Sequence, residues 1–179
     1  MIFIIGFTAS GKTTLGRSLA LFMKRPFFDL DEEIEKSSGM GVNELFETRG
    51  EPEFRKLETG ALERLISVSP KESIIATGGG TPCFNDNIKL LLKSGLVVYI
   101  VKTIDEILQN LNLAELQKRP LIPGSGEVEI RSWLTSTLTE REPYYSSAHL
   151  KVPSNVAKSP ELFTNAIILF TKGKALERS

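Results

Sequence analysis

Residues 6–13 are the first in the chain whose types and spacing indicate chemistry, with the sequence Gly-Phe-Thr-Ala-Ser-Gly-Lys-Thr. They fit the pattern G-x-x-x-x-G-K-[ST], follow an apolar segment and open a helical one, which is the context that the pattern requires. Glycines allow successive backbone N–H groups to turn inward around an anion, and the helix N-terminus adds a positive dipole end. Lys12 is then placed to reach the β and γ phosphates of a nucleotide, and the Thr13 hydroxyl to bind Mg²⁺.

Two carboxylates follow the next apolar segment, in the run Asp29-Leu30-Asp31. On the end of a strand, side chains two residues apart point to the same face. We therefore expect Asp29 and Asp31 to lie side by side, with one holding Mg²⁺ through water and the other facing an acceptor hydroxyl. A solvated acidic strand end is the alternative interpretation of this pair taken alone.

An arginine and a glutamate, Arg55 and Glu58, lie three residues apart on a helix that we predict to start near Pro52. That spacing makes the two side chains neighbours, so Glu58 would hold the guanidinium group of Arg55. The planar guanidinium presents paired donors that suit a substrate carboxylate. The alternative is an ordinary surface ion pair, which contributes little.

Three later motifs add to these residues. Residues 78–80 are consecutive glycines, which let the backbone approach a ligand closely. Arg119 precedes the Pro-Gly-Ser-Gly segment at residues 123–126, which predicts a mobile loop. Arg141 begins the run Arg-Glu-Pro-Tyr-Tyr. Each of these motifs is weak by itself.

The elements that must position these residues alternate between short apolar strands and amphipathic helices. We predict strands at residues 2–5, 27–30, 73–77, 96–101 and 148–152. In the first helix, residues 12–23, the predicted buried stripe consists of Leu15, Leu19, Phe22 and Met23. Trp133 shares a later apolar stripe with Ile130 and Leu134, and we interpret it as a core residue without chemistry. Strands that alternate with helices imply a parallel sheet covered on both faces, with functional residues at the carboxyl ends of the strands.

Composition limits the remaining function classes. The chain has 179 residues, 22 of them basic and 22 acidic, and a formal net charge of zero. This balance argues against a nucleic acid or membrane partner bound through bulk charge, and no segment approaches the roughly 20 apolar residues of a membrane span. The length favours a single domain over residues 1–179. The single cysteine, Cys83, excludes an intrachain disulfide, which suits a reducing cytoplasm.

Taken in order, these motifs resemble those of the shikimate kinases, P-loop enzymes similar to nucleoside monophosphate kinases. The resemblance covers residues 2 to about 160. It implies an α/β protein of three α/β/α layers with a five-stranded parallel sheet in the order 2-3-1-4-5, the P-loop NTPase fold. It also implies a substrate-binding subdomain at about residues 32–60 and a lid at about 112–126. The implied reaction, in aromatic amino acid biosynthesis, moves the γ-phosphoryl group of ATP to the 3-hydroxyl of shikimate. We expect a cytoplasmic monomer.

The resemblance also implies roles for single residues. Lys12, Asp31 and Arg119 would act in catalysis, while Thr13 and Asp29 would hold Mg²⁺. The implied shikimate-binding residues are Asp31, Phe46, Phe54, Arg55, Gly78, Gly79, Gly80 and Arg141. The implied ATP-binding residues are Gly6, Ala9, Ser10, Gly11, Lys12, Thr13, Thr14, Arg119 and Pro160.

Two positions depart from the family pattern, and two other functions remain open. Ala9 stands where a third loop glycine is usual, and Gln109 or Asn110 stands where an arginine that stacks on adenine is common. A kinase of another small hydroxy acid, such as gluconate, would also use Arg55 and Arg141 for its carboxylate. A nucleotide-binding module without turnover is the other alternative, which the presence of Asp31, Arg55 and Arg119 opposes.

Overall fold

The computed structural model describes residues 1–111 and 126–176 of the chain. The described strands are β1 (Ile2–Ile5), β2 (Phe27–Asp29), β3 (Ile74–Ala76), β4 (Leu96–Ile100) and β5 (Leu150–Val152). The described helices are α1 (Lys12–Met23), α2 (Leu30–Ser38), α3 (Val42–Val68), α4 (Asn87–Ser94), α5 (Ile104–Asn110), α6 (Glu127–Ser146), α7 (Ser154–Ala157) and α8 (Pro160–Leu176), with a 3₁₀ turn at Thr81–Cys83. Within these residues, no helix is long and apolar enough to cross a bilayer.

The five strands form one parallel sheet in the order β2-β3-β1-β4-β5, which confirms the predicted fold. All four residues of the central strand β1 are buried. Phe3 and Ile5 belong to one apolar cluster, with side chains from α3 to α6, whereas Ile2 and Ile4 belong to another, with side chains from α1 and α8. The strand is continuously apolar because both of its faces are covered by helices.

Helix α1 has the predicted bounds but a different buried face. Leu15 and Leu19 are buried, whereas Phe22 is 64% exposed, so its place in the predicted stripe is wrong. The buried face includes Gly16, whose ideal Cβ would lie 2.6 Å from the Phe27 ring. The α1 backbone therefore approaches β2 closely on the buried face of the helix.

Helix α3 is broken near its middle, and the break positions two aromatic residues. Gly50 has φ 75° and ψ 165°, which is not helical, and Pro52 follows inside the helix bounds. Proline suits the first turn of a helix because its missing N–H would have no partner there. The second segment therefore starts near Pro52, as predicted. Across the break, the Phe46 and Phe54 rings lie 4.3 Å apart between centroids.

Candidate active site

The loop between β1 and α1 is bent by residues with positive φ. Gly6 has φ 148°, Ala9 has φ 57° and Gly11 has φ 89°. An ideal Cβ on Gly6 would lie 2.9 Å from the carbonyl oxygen of Ile100, so this position requires glycine. Ala9 occupies the left-handed region without being glycine, and its carbonyl accepts a 3.0 Å hydrogen bond from Asn110 Nδ2 at the end of α5.

A cleft of about 750 Å³ opens beside this loop. Of the residues that the resemblance assigns to ATP, it is lined by Ala9, Ser10, Gly11, Lys12, Thr13, Thr14 and Pro160. Gly6 is buried beneath the loop and shapes it without lining the cleft. Lys102, Asn110 and Lys158 also line the cleft.

The oxygen atoms at the start of α1 fit a hard divalent cation. Thr13 Oγ1 donates a 2.6 Å hydrogen bond to Asp29 Oδ2, and both residues line the large cleft. Hydroxyl and carboxylate oxygens are the ligands that Mg²⁺ prefers, so this pair suits the metal that the sequence predicts. Lys12 Nζ donates to the carbonyl oxygen of Phe7 at 2.9 Å, which keeps the ammonium group beside the loop.

Asp31 does not lie on a strand, so the predicted strand-end arrangement of the acidic pair is wrong. Strand β2 ends at Asp29, and Leu30 begins α2. The Asp29 carboxylate caps that helix by accepting a 3.1 Å hydrogen bond from the Asp31 N–H. Asp31 is thereby placed in the first turn of the helix. The two carboxylates still line the same cleft.

A second, smaller cleft of about 120 Å³ lies next to the first. It brings together all eight of the residues that the resemblance assigns to shikimate: Asp31, Phe46, Phe54, Arg55, Gly78, Gly79, Gly80 and Arg141. They come from α2, both segments of α3, the turn after β3, and α6. Residues that are distant in sequence thus surround one small cleft.

Arg55 lines this cleft with its side chain held in place by hydrogen bonds, and it is only 6% exposed. Its Nε and Nη2 donate to Glu51 Oε1 at 3.1 and 2.9 Å, and Nη1 donates to Glu58 Oε2 at 2.9 Å. Glu58 is 1% exposed and accepts a further 2.6 Å bond from the Thr81 hydroxyl. The pair is therefore buried and hydrogen-bonded, unlike an ordinary surface ion pair.

Three aromatic rings lie near Arg55, and one lies near Arg141, the other arginine of the cleft. The Arg55 guanidinium lies 5.5 Å from the centroid of Phe46, 5.3 Å from that of Phe54 and 4.2 Å from that of Phe84. The Arg141 guanidinium lies 5.6 Å from the centroid of Phe7. Such rings favour a cation electrostatically while excluding water from it.

The three glycines after β3 lie close to polar groups of four residues: Asp31, Glu58, Arg55 and Thr8. An ideal Cβ on Gly78 would lie 2.8 Å from Glu58 Oε1 and 2.9 Å from Asp31 Oδ1. An ideal Cβ on Gly80 would lie 2.5 Å from Arg55 Nη2. An ideal Cβ on Gly79 would lie 3.1 Å from the backbone nitrogen of Thr8. Larger residues at Gly78 and Gly80 would push the acidic and basic side chains of the cleft out of their present positions.

The two clefts share part of one wall. Thr8, Asp31 and Gly79 line both of them. A phosphate bound by the residue 6–13 loop and an acceptor bound beside Arg55 would therefore meet at Asp31. This arrangement suits transfer of a phosphoryl group between two bound molecules.

Known proteins with a similar sequence support one family. The family model for shikimate kinase matches residues 8–172. The shikimate kinase of Parabacteroides distasonis is 34% identical over 149 residues, which cover 83% of this chain and 84% of that protein. The chain belongs to the shikimate kinase family.

Solved structures agree with this assignment. A shikimate kinase from Acinetobacter baumannii in complex with shikimate has a TM-score of 0.87 at 32% identity, with 97% of this chain and 93% of that chain covered. A gluconokinase from Sinorhizobium meliloti has a TM-score of 0.59 at 13% identity, with 99% and 97% covered, which shows only a shared fold.

Four residues that line the smaller cleft received no site role from the sequence: Thr8, Val42, Asn43 and Trp133. Trp133, interpreted as core, is half-buried and lines the smaller cleft, with its ring 6.3 Å from Phe7 in an edge-on arrangement. The apolar stripe indicated the correct face of α6 without indicating the cleft that it faces. Arg119 and the predicted lid up to residue 125 lie outside the described residues.

Proposed function

We propose that this protein transfers the γ-phosphoryl group of ATP to the 3-hydroxyl of shikimate and releases shikimate 3-phosphate and ADP. The observation that carries the proposal is the wall of Thr8, Asp31 and Gly79 that the large and small clefts share. In the proposed complex, a nucleotide phosphate and a small acceptor would lie on either side of the Asp31 carboxylate. Family membership supports the choice of shikimate as that acceptor.

The donor side would work by positioning and by neutralising charge. Phosphoryl transfer has a loose transition state with charge spread over the oxygens of the transferred group, so the protein has little covalent chemistry to perform. Lys12 would leave the Phe7 carbonyl for the phosphates. Thr13 and Asp29 would hold Mg²⁺, which when bound neutralises charge on the β and γ phosphates.

The acceptor side would orient one hydroxyl group. Arg55, fixed by Glu51 and Glu58, and Arg141, over Phe7, would bind the shikimate carboxylate. Phe46, Phe54 and Trp133 would enclose its ring. Asp31, in the shared wall, would then hydrogen-bond the hydroxyl that attacks the phosphate. The cleft of about 120 Å³ suits a small ring.

The proposal also retains parts that rest on the resemblance. Arg119 would contact the ATP phosphates from a lid at about residues 112–126, and residues 32–60 would form the acceptor-binding subdomain. The protein would act as a cytoplasmic monomer. Light scattering coupled to size-exclusion chromatography measures the monomer directly.

A product analysis tests the function against its nearest rival. The purified protein is incubated with ATP and Mg²⁺ and with shikimate or gluconate in separate reactions. We expect a phosphorylated product only from shikimate, with ³¹P and ¹H NMR locating the phosphate on the 3-hydroxyl. Phosphorylation of gluconate at a comparable rate, or of another shikimate hydroxyl, would refute the proposal.

A further inference from the structure

A tyrosine that lines neither cleft donates a hydrogen bond to their shared wall from the side that faces the core. Tyr145, near the end of α6, is fully buried, and its hydroxyl donates a 2.6 Å hydrogen bond to the carbonyl oxygen of Gly79. Gly79 lies in the shared wall, whereas Tyr145 is not among the lining residues of either cleft. The hydroxyl therefore reaches the glycine segment from the core side.

Peptide planarity extends this contact to the next residue. In a trans peptide, the carbonyl of Gly79 and the N–H of Gly80 lie in one plane and point in opposite directions. Because Tyr145 fixes the carbonyl from the core side, the Gly80 N–H is directed toward the cleft that Gly80 lines. An N–H in this position is a hydrogen-bond donor for an oxygen atom of the acceptor.

The tyrosine is itself held in place and remains a donor. Its ring stacks on Tyr99, with centroids 5.1 Å apart and planes inclined by 29°. Burial raises the pKa of Tyr145 above its ordinary value, so the phenol stays protonated near neutral pH. The positive charge of Arg141, one helical turn earlier, opposes that shift. The protonated hydroxyl can therefore donate to the Gly79 carbonyl.

We propose that Tyr145 is a positioning residue for the acceptor, because its hydroxyl fixes the Gly79–Gly80 peptide in one arrangement. The Gly80 N–H then presents a donor to the bound molecule. This inference rests on the proposed function in one respect, namely that the acceptor occupies the smaller cleft.

The variant Tyr145→Phe tests the hydroxyl while keeping the stacked ring. It leaves the buried Gly79 carbonyl without its donor, so we expect the Kd and KM for shikimate to rise about tenfold. The Kd for a non-hydrolysable ATP analogue should stay unchanged, since the residue 6–13 loop is not involved. Tyr99→Phe is the matched control, because it removes the hydroxyl of the ring that stacks on Tyr145. The Tyr99 hydroxyl donates to Glu142 at 2.8 Å, and neither residue lines either cleft.

Each outcome of the titrations decides the matter. Tyr145→Phe that binds shikimate like the wild type overturns the inference, and so does equal weakening of shikimate and the ATP analogue, which would indicate general loosening. A wild type that binds no shikimate overturns the proposed function and this inference together. If Tyr145→Phe does not fold, the Gly80 amide of the wild type decides by NMR. A downfield shift on adding shikimate supports the inference, and an unchanged signal overturns it.

Discussion

Replacing Arg55 by lysine separates a positioned pair of donors from a positive charge. In the structure, three N–H groups of Arg55 are bonded to Glu51 and Glu58, and the guanidinium lies among three aromatic rings. These contacts fix the plane that a carboxylate would meet. Lysine keeps the charge on a flexible stem but has no planar fork, so it cannot reproduce the paired bonds.

The expected cost follows from the number of bonds lost. A hydrogen bond to a charged group contributes about 1.5–3 kcal/mol, and lysine retains at most one of the two that a guanidinium offers a carboxylate. We expect the shikimate affinity to fall by about 2–3 kcal/mol, or roughly 30- to 140-fold in Kd. The affinity for a non-hydrolysable ATP analogue should not change, because Arg55 lines only the smaller cleft.

Isothermal titration with each ligand separately measures this effect. The matched control is Arg64→Lys, which makes the same substitution at an exposed position on the same helix and should change neither affinity. A thermal melt of both variants checks that the fold is intact. Wild-type shikimate affinity in Arg55→Lys, or equal weakening of both ligands, would show that Arg55 does not bind the acceptor.

Three further predictions concern other parts of the site. Lys12→Ala should lower turnover on the order of 100-fold or more, while its melting temperature stays unchanged because Lys12 bonds the loop carbonyl of Phe7 and lies outside both core clusters. Normal turnover by the folded variant would contradict the assignment of the phosphate site. GTP should support turnover within about tenfold of ATP, since Asn110 cannot stack on a base as arginine does. Asn110→Arg should lower the KM for ATP without changing the KM for shikimate. Strict ATP selectivity of the wild type in steady-state kinetics would contradict the role given to Asn110. Burial raises the pKa of Cys83 to about 11, although the positive charges of Arg141 and Arg55 lower it. Alkylation of Cys83 by iodoacetamide should therefore be slow at pH 8 and accelerate only as the pH approaches 11. Rapid labelling of the folded protein at pH 8 would contradict this prediction.

The elements that the sequence predicted well have strong local signals. Helix α1 has the predicted bounds because a glycine-rich turn precedes it. Thr103 and Glu106 have the spacing of a capping box, and both hydrogen bonds of that motif form at the start of α5. The alternation of apolar strands with helices predicted a parallel sheet, and the family resemblance predicted its strand order; both are confirmed.

Asp31 was wrongly predicted to lie on a strand end, because the apolar Leu30 outweighed the helix-capping pattern that begins at Asp29. Asp29, followed three residues later by Glu32, has the form of a helix N-cap with its acidic first turn. The apolar Leu30 made the segment resemble a continued strand. In the structure the cap is decisive, and Leu30 is buried as the first residue of α2.

Other features could not be predicted because they join distant residues. Asn110 bonds Ala9 across 101 positions, and Tyr145 bonds Gly79 across 66. Both contacts depend on how helices pack over the sheet edge, which local periodicity does not determine. The same holds for Trp133, whose position on α6 gave its helix face but not the cleft beside it.

The most direct test of the account is the release of ADP by the wild-type protein, measured in a coupled assay with and without shikimate. If the shared wall of Thr8, Asp31 and Gly79 brings ATP and shikimate together, ADP release requires both molecules and saturates with each. The account predicts negligible release with ATP alone and turnover when shikimate is added. ADP release that is unaffected by shikimate would contradict it.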